Sequence, residues 1–177
     1  MSAVRLEPLA LHHASAILAG QDDLLAREAF GALWTPEALA VFLARAERWR
    51  PDGPIQEFAA LAFDGDGDGG AVSRGVMVGG GGIHRLGPGL ERHQAGVSYW
   101  LLPAYRGRGL GHALAADLVQ RALALHGVSE AVLLIDPANL ASQAVARHLG
   151  ALPAGLTEPH PAGGGRRAQR WVLEAGD

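Results

Sequence analysis

The chain has 177 residues, 49% of them apolar and 19% charged, with a formal net charge of −3 and no cysteine. A chain of this length buries roughly 70% of the surface its unfolded form exposes, so it supports a core of its own and is not a disordered polymer. The missing cysteines exclude disulfides, thiolate metal sites and cysteine nucleophiles, and the slight acidity argues against nucleic acid as the main partner, because phosphate binding needs a basic face.

All fifteen basic residues are Arg, so a catalytic or Schiff-base Lys is excluded. The start, Met1-Ser2-Ala3-Val4-Arg5-Leu6-Glu7-Pro8, has neither the basic segment nor the apolar run of a secretory signal. No stretch is apolar for long enough to span a bilayer. The expectation is a cytoplasmic protein with no membrane partner.

In chain order, Val4-Arg5-Leu6-Glu7 alternates apolar and polar residues and predicts a short strand ended by Pro8. A weak helix is expected over residues 11–19, with the adjacent His12 and His13 pointing to different sides and making a poor metal pair. Thr35-Pro36-Glu37 is a stronger helix start: a capping hydroxyl, a proline in the first turn, then an acid at the positive helix end. Leu39, Phe42, Leu43, Ala46 and Trp49 follow at helical spacing, and Pro51-Asp52-Gly53-Pro54 reads as the stop. Residues 57–63 and 72–84 read as strands joined by Asp64-Gly65-Asp66-Gly67-Asp68-Gly69-Gly70. The spaced aspartates hint at calcium, but a calcium loop needs a bidentate Glu where the count from Asp64 reaches Gly75. A flexible hairpin turn is the expectation. Gly79-Gly80-Gly81-Gly82 inside a strand predicts a bulge or a close backbone approach.

The second half is more regular. Residues 97–102 read as a strand and 108–125 as a helix with the stripe Leu110, Leu114, Leu118, Ala122 and Leu125, stopped near Gly127. Ala131 to Ile135 is an unbroken apolar run, as in a strand covered on both faces. A helix over 140–149 ends at Gly150, and strand, helix, strand, helix at this spacing makes a parallel βαβ unit. Two tail strands, near 153–157 and 168–174, flank a Gly/Pro-rich stretch. No repeat or linker interrupts, so residues 1–177 are expected to form a single α/β domain of mixed sheet topology.

Chemistry concentrates at Arg106-Gly107-Arg108-Gly109-Leu110-Gly111, between a strand and a helix. Small residues let a ligand approach the backbone, and the first helical turn leaves N–H groups unpaired. With the helix dipole and two Arg, these make a site for a phosphate or pyrophosphate. The plainer reading is a Gly-rich turn kept for tight packing. A Walker loop would need the absent Lys, and the dinucleotide pattern G-x-G-x-x-G fails at His112.

The neighbours add a specific resemblance. Residues 97–151, from Val97-Ser98-Tyr99-Trp100-Leu101-Leu102 through Arg106-Gly107-Arg108-Gly109-Leu110-Gly111 to Asp136-Pro137-Ala138-Asn139-Leu140-Ala141-Ser142 and His148-Leu149-Gly150-Ala151, resemble the GNAT N-acetyltransferase superfamily. Arg106, Gly109 and Gly111 match its [Q/R]-x-x-G-x-[G/A] signature. Tyr99-Trp100-Leu101 and Asn139-x-x-Ser142 are most similar to its ribosomal-protein-alanine (RimJ/RimL-type) branch. The first ninety residues fit the family's element order without a motif of their own.

The resemblance implies a mixed central sheet with flanking helices, acetyl-CoA as donor, a primary amine as acceptor (a protein or peptide N-terminus or a small molecule) and no metal. It implies that strand 97–102 splays from strand 131–135, with the pantetheine arm in the gap. The main chain of Leu101 and Leu102 would bond that arm. Arg106, Gly107, Arg108, Gly109, Leu110, Gly111 and His112 would hold the pyrophosphate. Amides near Leu101 would polarise the thioester carbonyl, and placing the amine beside it supplies much of the catalysis. Asn139 and Ser142 share a face at a helix start. One reading is a capping Asn with a first-turn Ser; the other puts Asn139 on the pantetheine arm and Ser142 at the coenzyme sulfur as catalytic acid, and both can hold.

For the base, the branch often has an acid shortly before the Tyr-Trp pair, but Gln94-Ala95-Gly96-Val97-Ser98 offers no carboxylate. Glu91 is the catalytic candidate taken, beside His84 and His93; transfer of the proton through water, or attack by an amine already neutral, stays open. Phe30, Trp34 and Trp49 fall where the family walls its acceptor site, although aromatics at helical spacing are ordinarily core. The other classes left are a coenzyme A-binding sensor without catalysis and a nucleotide-binding protein. The sequence leaves the oligomeric state open, a homodimer included.

Overall fold

A computed structural model describes residues 4–48, 53–63 and 75–176. Among the described residues seven strands, β1 (Val4–Pro8), β2 (Ile55–Ala62), β3 (Val76–His84), β4 (Gln94–Leu101), β5 (Glu130–Ile135), β6 (Leu152–Pro159) and β7 (Arg167–Glu174), form one sheet in the order β1-β2-β3-β4-β5-β7-β6. Every neighbouring pair is antiparallel except β4 and β5, which are parallel. The helices are α1 (Ala14–Gly20), α2 (Asp23–Leu25), which runs on as a π-helical turn Ala26–Phe30, α3 (Pro36–Ala46), α4 (Leu110–Leu123) and α5 (Leu140–His148).

The local signals act as expected at several points. The Thr35 hydroxyl accepts from the Ala38 N–H at 3.2 Å, with Pro36 in the first turn of α3; such a cap contributes about 1 kcal/mol. Trp49, the Pro51 stop and the Asp64–Gly70 linker lie outside the described residues. The α2 segment had no expectation because three residues carry no periodicity; its signal is Asp22, whose carboxylate caps the Leu25 N–H at 2.9 Å. His12 and His13 overturn the expectation of divergence. They lie on one 3-10 turn (Leu11–His13), and both ring Nε2 atoms reach Glu7 Oε1, at 3.2 and 2.9 Å. A single carboxylate gathers both rings, His13 buried and His12 exposed.

Two apolar layers cover the sheet. On one face Leu114, Leu118, Val119 and Ala122 of α4 pack on Phe58, Ile83, Val97 and Leu133. On the other, Ile17 of α1 and Leu39 and Leu43 of α3 pack on Ala59 and Met77. Strand alternation sends Val97, Tyr99 and Leu101 to the α4 layer and Trp100 to the α3 layer.

The four glycines of β3 do both things the sequence allowed. Pairing with β2 slips between Ala60 and Leu61, and β4 approaches so closely that a Cβ on Gly79 would sit 2.1 Å from the Trp100 carbonyl oxygen. Side chains there would push β4 away. β4 and β5 pair only through Gln94, Ala95 and Gly96 against Glu130, Ala131 and Val132. Beyond them β4 follows β3 as far as Leu101, while β5 follows β7 as far as Ile135. The carboxyl ends therefore part, and α4 and α5 begin just after those ends.

Candidate active site

The divergence of β4 and β5 leaves main-chain groups without a strand partner. Leu102 N–H donates to the Val78 carbonyl at 2.8 Å, so by alternation Ser98 and Trp100 also turn to β3, while Val97, Tyr99 and Leu101 turn to the gap. There the Leu101 carbonyl accepts from Arg106 Nε at 3.2 Å. A cavity of about 480 Å³ occupies the gap and spreads onto the α3 face of the sheet; Gly96 to Trp100, Val132 to Asp136, Asn139 and Ser142 line it.

On the α4 side of this cavity the Tyr99 hydroxyl is buried and has no hydrogen-bond partner among the described residues. Burial lifts its phenol above the ordinary tyrosine value, and the nearby Ser142 hydroxyl only tempers the rise without reaching bonding geometry. Tyr99 therefore stays a proton-bearing donor throughout the neutral range. Buried polar atoms are nearly always paired, so a donor left free beside a cavity is a mark of something to be bound. Asn139 performs two tasks: its Oδ1 caps α5 by accepting from the Ser142 N–H at 3.0 Å, and its Nδ2 donates to Glu28 Oε2 at 3.2 Å.

On the other side, Glu57, Gly82 and Ser98 lie in register across β2, β3 and β4. Glu57 Oε1 meets His84 Nε2 at 3.0 Å. The bare Gly82 makes room for the pair, since a Cβ there would fall 2.6 Å from His84 Nε2 and 2.7 Å from Glu57 Oε2. Both residues line the cavity. A second polar group closes one wall: Arg166 bridges Glu28 at 3.3 Å and Asp136 at 2.7 Å. The buried His160 accepts the Ala162 N–H on Nδ1, next to Arg166. The Ala138 N–H, helped by Arg166, holds Asp136 below the usual carboxylate range, and burial, helped by Arg166, pushes the His160 imidazole down.

The Gly-rich turn follows β4 directly. Gly107 and Gly109 have φ of 72° and 76°, a left-handed backbone that favours glycine, and nothing lies within 4 Å of a Cβ built on either. Side chains cap α2, α3 and α5, whereas α1 and α4 have no side-chain cap; α4 starts at Gly109, so no side chain occupies its first N–H groups. Arg106 is bidentate to Asp22 at 2.7 and 2.9 Å. That pair holds the Asp22 carboxyl below its usual range and ties the turn to the N-terminal helices. Arg108 is exposed, 5.7 Å from the Tyr105 ring, and His112 is exposed beside His148.

Of the residues expected from the sequence, the structure gathers Asn139, Ser142 and His84 around one cavity. Leu102 spends its N–H on β3. Glu91 is exposed ahead of β4 and pairs with His93 at 3.6 Å, and neither lines the cavity. Phe30 and Trp34 do line it, packed on the α3 layer. Tyr99 and Glu57 also line the cavity, and the sequence reading does not single them out as candidates: Tyr99 enters it only through its motif, and the one signal for Glu57 is an acid inside an apolar strand, which alternation alone assigns to solvent.

The acetyltransferase (GNAT) domain family matches residues 3–152. No curated protein matches the sequence. Among solved structures, the chain is similar to the aminoglycoside acetyltransferase AAC(6')-Ib in complex with paromomycin and acetyl-CoA, with a TM-score of 0.74 and 17% identity over 97% of this chain and 93% of that one. It is also similar to spermidine N-acetyltransferase from Vibrio cholerae in complex with CoA and spermine, with a TM-score of 0.73 and 12% identity over 97% and 95% of the two chains. With the splayed parallel pair, the uncapped α4 turn and a match across most of its length, the chain belongs to the GNAT acetyltransferase family.

Proposed function

We propose that the chain, acting as one domain in the cytoplasm, transfers an acetyl group directly from acetyl-CoA to a primary amine. The single observation that carries this is the gap between β4 and β5. It has free main-chain groups on one wall, a free Tyr99 hydroxyl beside Ser142, and an uncapped helix start at the end of β4. Structures of the same fold that hold acetyl-CoA or CoA support the donor. Their acceptors, aminoglycosides and spermine, support an amine; the ribosomal-protein-alanine branch rests on the short motifs at Tyr99 and Asn139.

The donor supplies an acetyl thioester. The amine nitrogen forms the C–N bond, the C–S bond breaks, and the thiol leaves with a proton, so no acyl-enzyme is needed. The amides of Gly109, Leu110 and Gly111 would receive the pyrophosphate, each negative charge gaining about 0.3–1 kcal/mol from the helix dipole. Arg106 shapes that turn through Asp22 rather than reaching out as a free cation. The amides of Tyr99 and Leu101, which face the gap beyond the last β4–β5 pair, donate to the carbonyl oxygen as its charge grows. Tyr99 and Ser142 donate to the departing sulfur. The Glu57–His84 pair takes the proton from the incoming ammonium and passes it to solvent, His84 being partly exposed.

A thiol-release assay with acetyl-CoA and a panel of primary amines tests the reading. Turnover with an amine is expected. Tight coenzyme binding with no turnover on any amine would replace it with a coenzyme-binding sensor.

A further inference from the structure

The acceptor end of the cavity carries a specificity signal of its own. Four rings meet there: Phe30 lies 5.2 Å from Trp100, edge on, and 5.8 Å from Trp34, which stacks on Phe42 at 5.2 Å. All four line the cavity and none is fully buried. The one ring on a loop is held in place, because the Gln21 side-chain amide accepts from the Trp34 N–H at 2.7 Å and donates to the Trp34 carbonyl at 2.9 Å. A fixed aromatic wall on two helical segments, a loop and a strand is a preformed surface for another ring.

The charges in the same cavity point the same way. Its carboxylates are Glu28, Glu57 and Asp136. Glu28 is held by Arg27, Arg166 and Asn139, Asp136 by Arg166 and the Ala138 N–H, and Glu57 by His84. An acceptor with several ammonium groups would find one carboxylate, Glu57, that no guanidinium neutralises, and taking another from Arg166 would strand a partly buried guanidinium. Size agrees. About 480 Å³ is near the low end of the roughly 300–1,000 Å³ that encloses drug-sized ligands, and the acetyl end of the donor must share it.

We infer, resting on the acetyl-transfer reading above, that the acceptor is an arylalkylamine: one primary amine on a short chain carrying an aromatic ring. The ring packs among Phe30, Trp34, Phe42 and Trp100, and the nitrogen reaches the Glu57–His84 pair beside the gap. The ammonium gives one proton to that pair, its freed lone pair attacks the thioester carbonyl to form the C–N bond, and the C–S bond breaks as the second proton lost from nitrogen is balanced by the one with which the thiol leaves.

The test uses the full chain, acetyl-CoA and thiol release, with phenethylamine and tryptamine against spermidine, kanamycin and an Ala-initiated peptide. The arylalkylamines should exceed each of the others in kcat/KM by about a hundredfold or more, the scale on which an ill-fitting pocket discriminates. Trp34→Ala should raise KM for phenethylamine about tenfold and leave KM for acetyl-CoA within about twofold. Preference for spermidine, kanamycin or the peptide overturns the arylalkylamine assignment and leaves acetyl transfer to amines standing. No turnover of any amine by a chain that binds acetyl-CoA overturns the underlying reading as well. Should Trp34→Ala fail to fold, the wild-type ranking decides alone.

Discussion

Replacing Tyr99 by Phe should make this protein more stable and less active at once. The hydroxyl is buried with no partner, and an unsatisfied buried polar group costs about 1–3 kcal/mol. Phe keeps the ring's packing against the α4 layer and removes only the stranded oxygen. For a chain of this size, 1 kcal/mol shifts Tm by roughly 2–4 °C, so Tyr99→Phe should melt at least about 2 °C above wild type without donor. The same oxygen is the donor proposed for the departing sulfur. A thiol is a fair leaving group unaided, so the loss belongs at the lower end of the ~10²–10⁴ range for acid catalysis, and kcat should fall by about tenfold to a hundredfold. Ser142→Ala alone should cost less, and the double variant less than the product of the two, because both hydroxyls serve one atom. Thermal melts and thiol-release kinetics read the two effects separately. A variant that melts at or below wild type with unchanged kcat would refute both the orphan status of the hydroxyl and its role.

Gly79→Ala should lower Tm by several degrees and weaken acetyl-CoA binding together. Its Cβ would meet backbone atoms of β4, the Trp100 oxygen at 2.1 Å and the Leu101 Cα at 2.9 Å, and overpacking of this kind costs about 1–3 kcal/mol; calorimetry of melting and binding checks both. Gly109→Glu should abolish coenzyme binding, because a carboxylate would lie in the mouth of the helix start; affinity within twofold of wild type would remove the turn from the site. Asn139→Ser keeps a capping oxygen, so Tm should stay within about 2 °C while KM for acetyl-CoA rises, whereas an unchanged KM would leave Asn139 a cap alone. The His160 value is depressed in the fold. Its stabilising contribution is therefore complete above the unfolded value of about 6.5 and is lost as pH falls through the lower folded value. Wild-type Tm should drop between pH 7 and 5 by more than that of His160→Asn, which retains an acceptor for the Ala162 N–H; parallel curves would exclude His160 as the cause.

What could be read from the chain, and what could not, divides along the range of the interaction involved. The strands and the larger helices rest on neighbours in sequence: the Thr35-Pro36 start of α3, the Leu114–Leu118–Ala122 stripe, and the apolar run that becomes β5. The glycine run announced a close approach because no other residue type permits one. The pairs proposed to carry the chemistry come from distant segments. Glu57 and His84 meet only because β2 and β3 align over Gly82, and the Tyr99 hydroxyl is left without a partner in the packed α4 layer, which no local pattern announces. Arg106 shows the same limit from the other side. Its place in the Gly-rich signature suggests a free cation for phosphate, yet Asp22, remote in sequence, claims both terminal guanidinium nitrogens. In the proposed site, anion binding at this turn thus falls to the main chain of α4, whose first donors no side chain caps. That arrangement puts the burden of coenzyme affinity on backbone shape, so substitutions that bend the turn should cost more than any that remove a nearby positive charge.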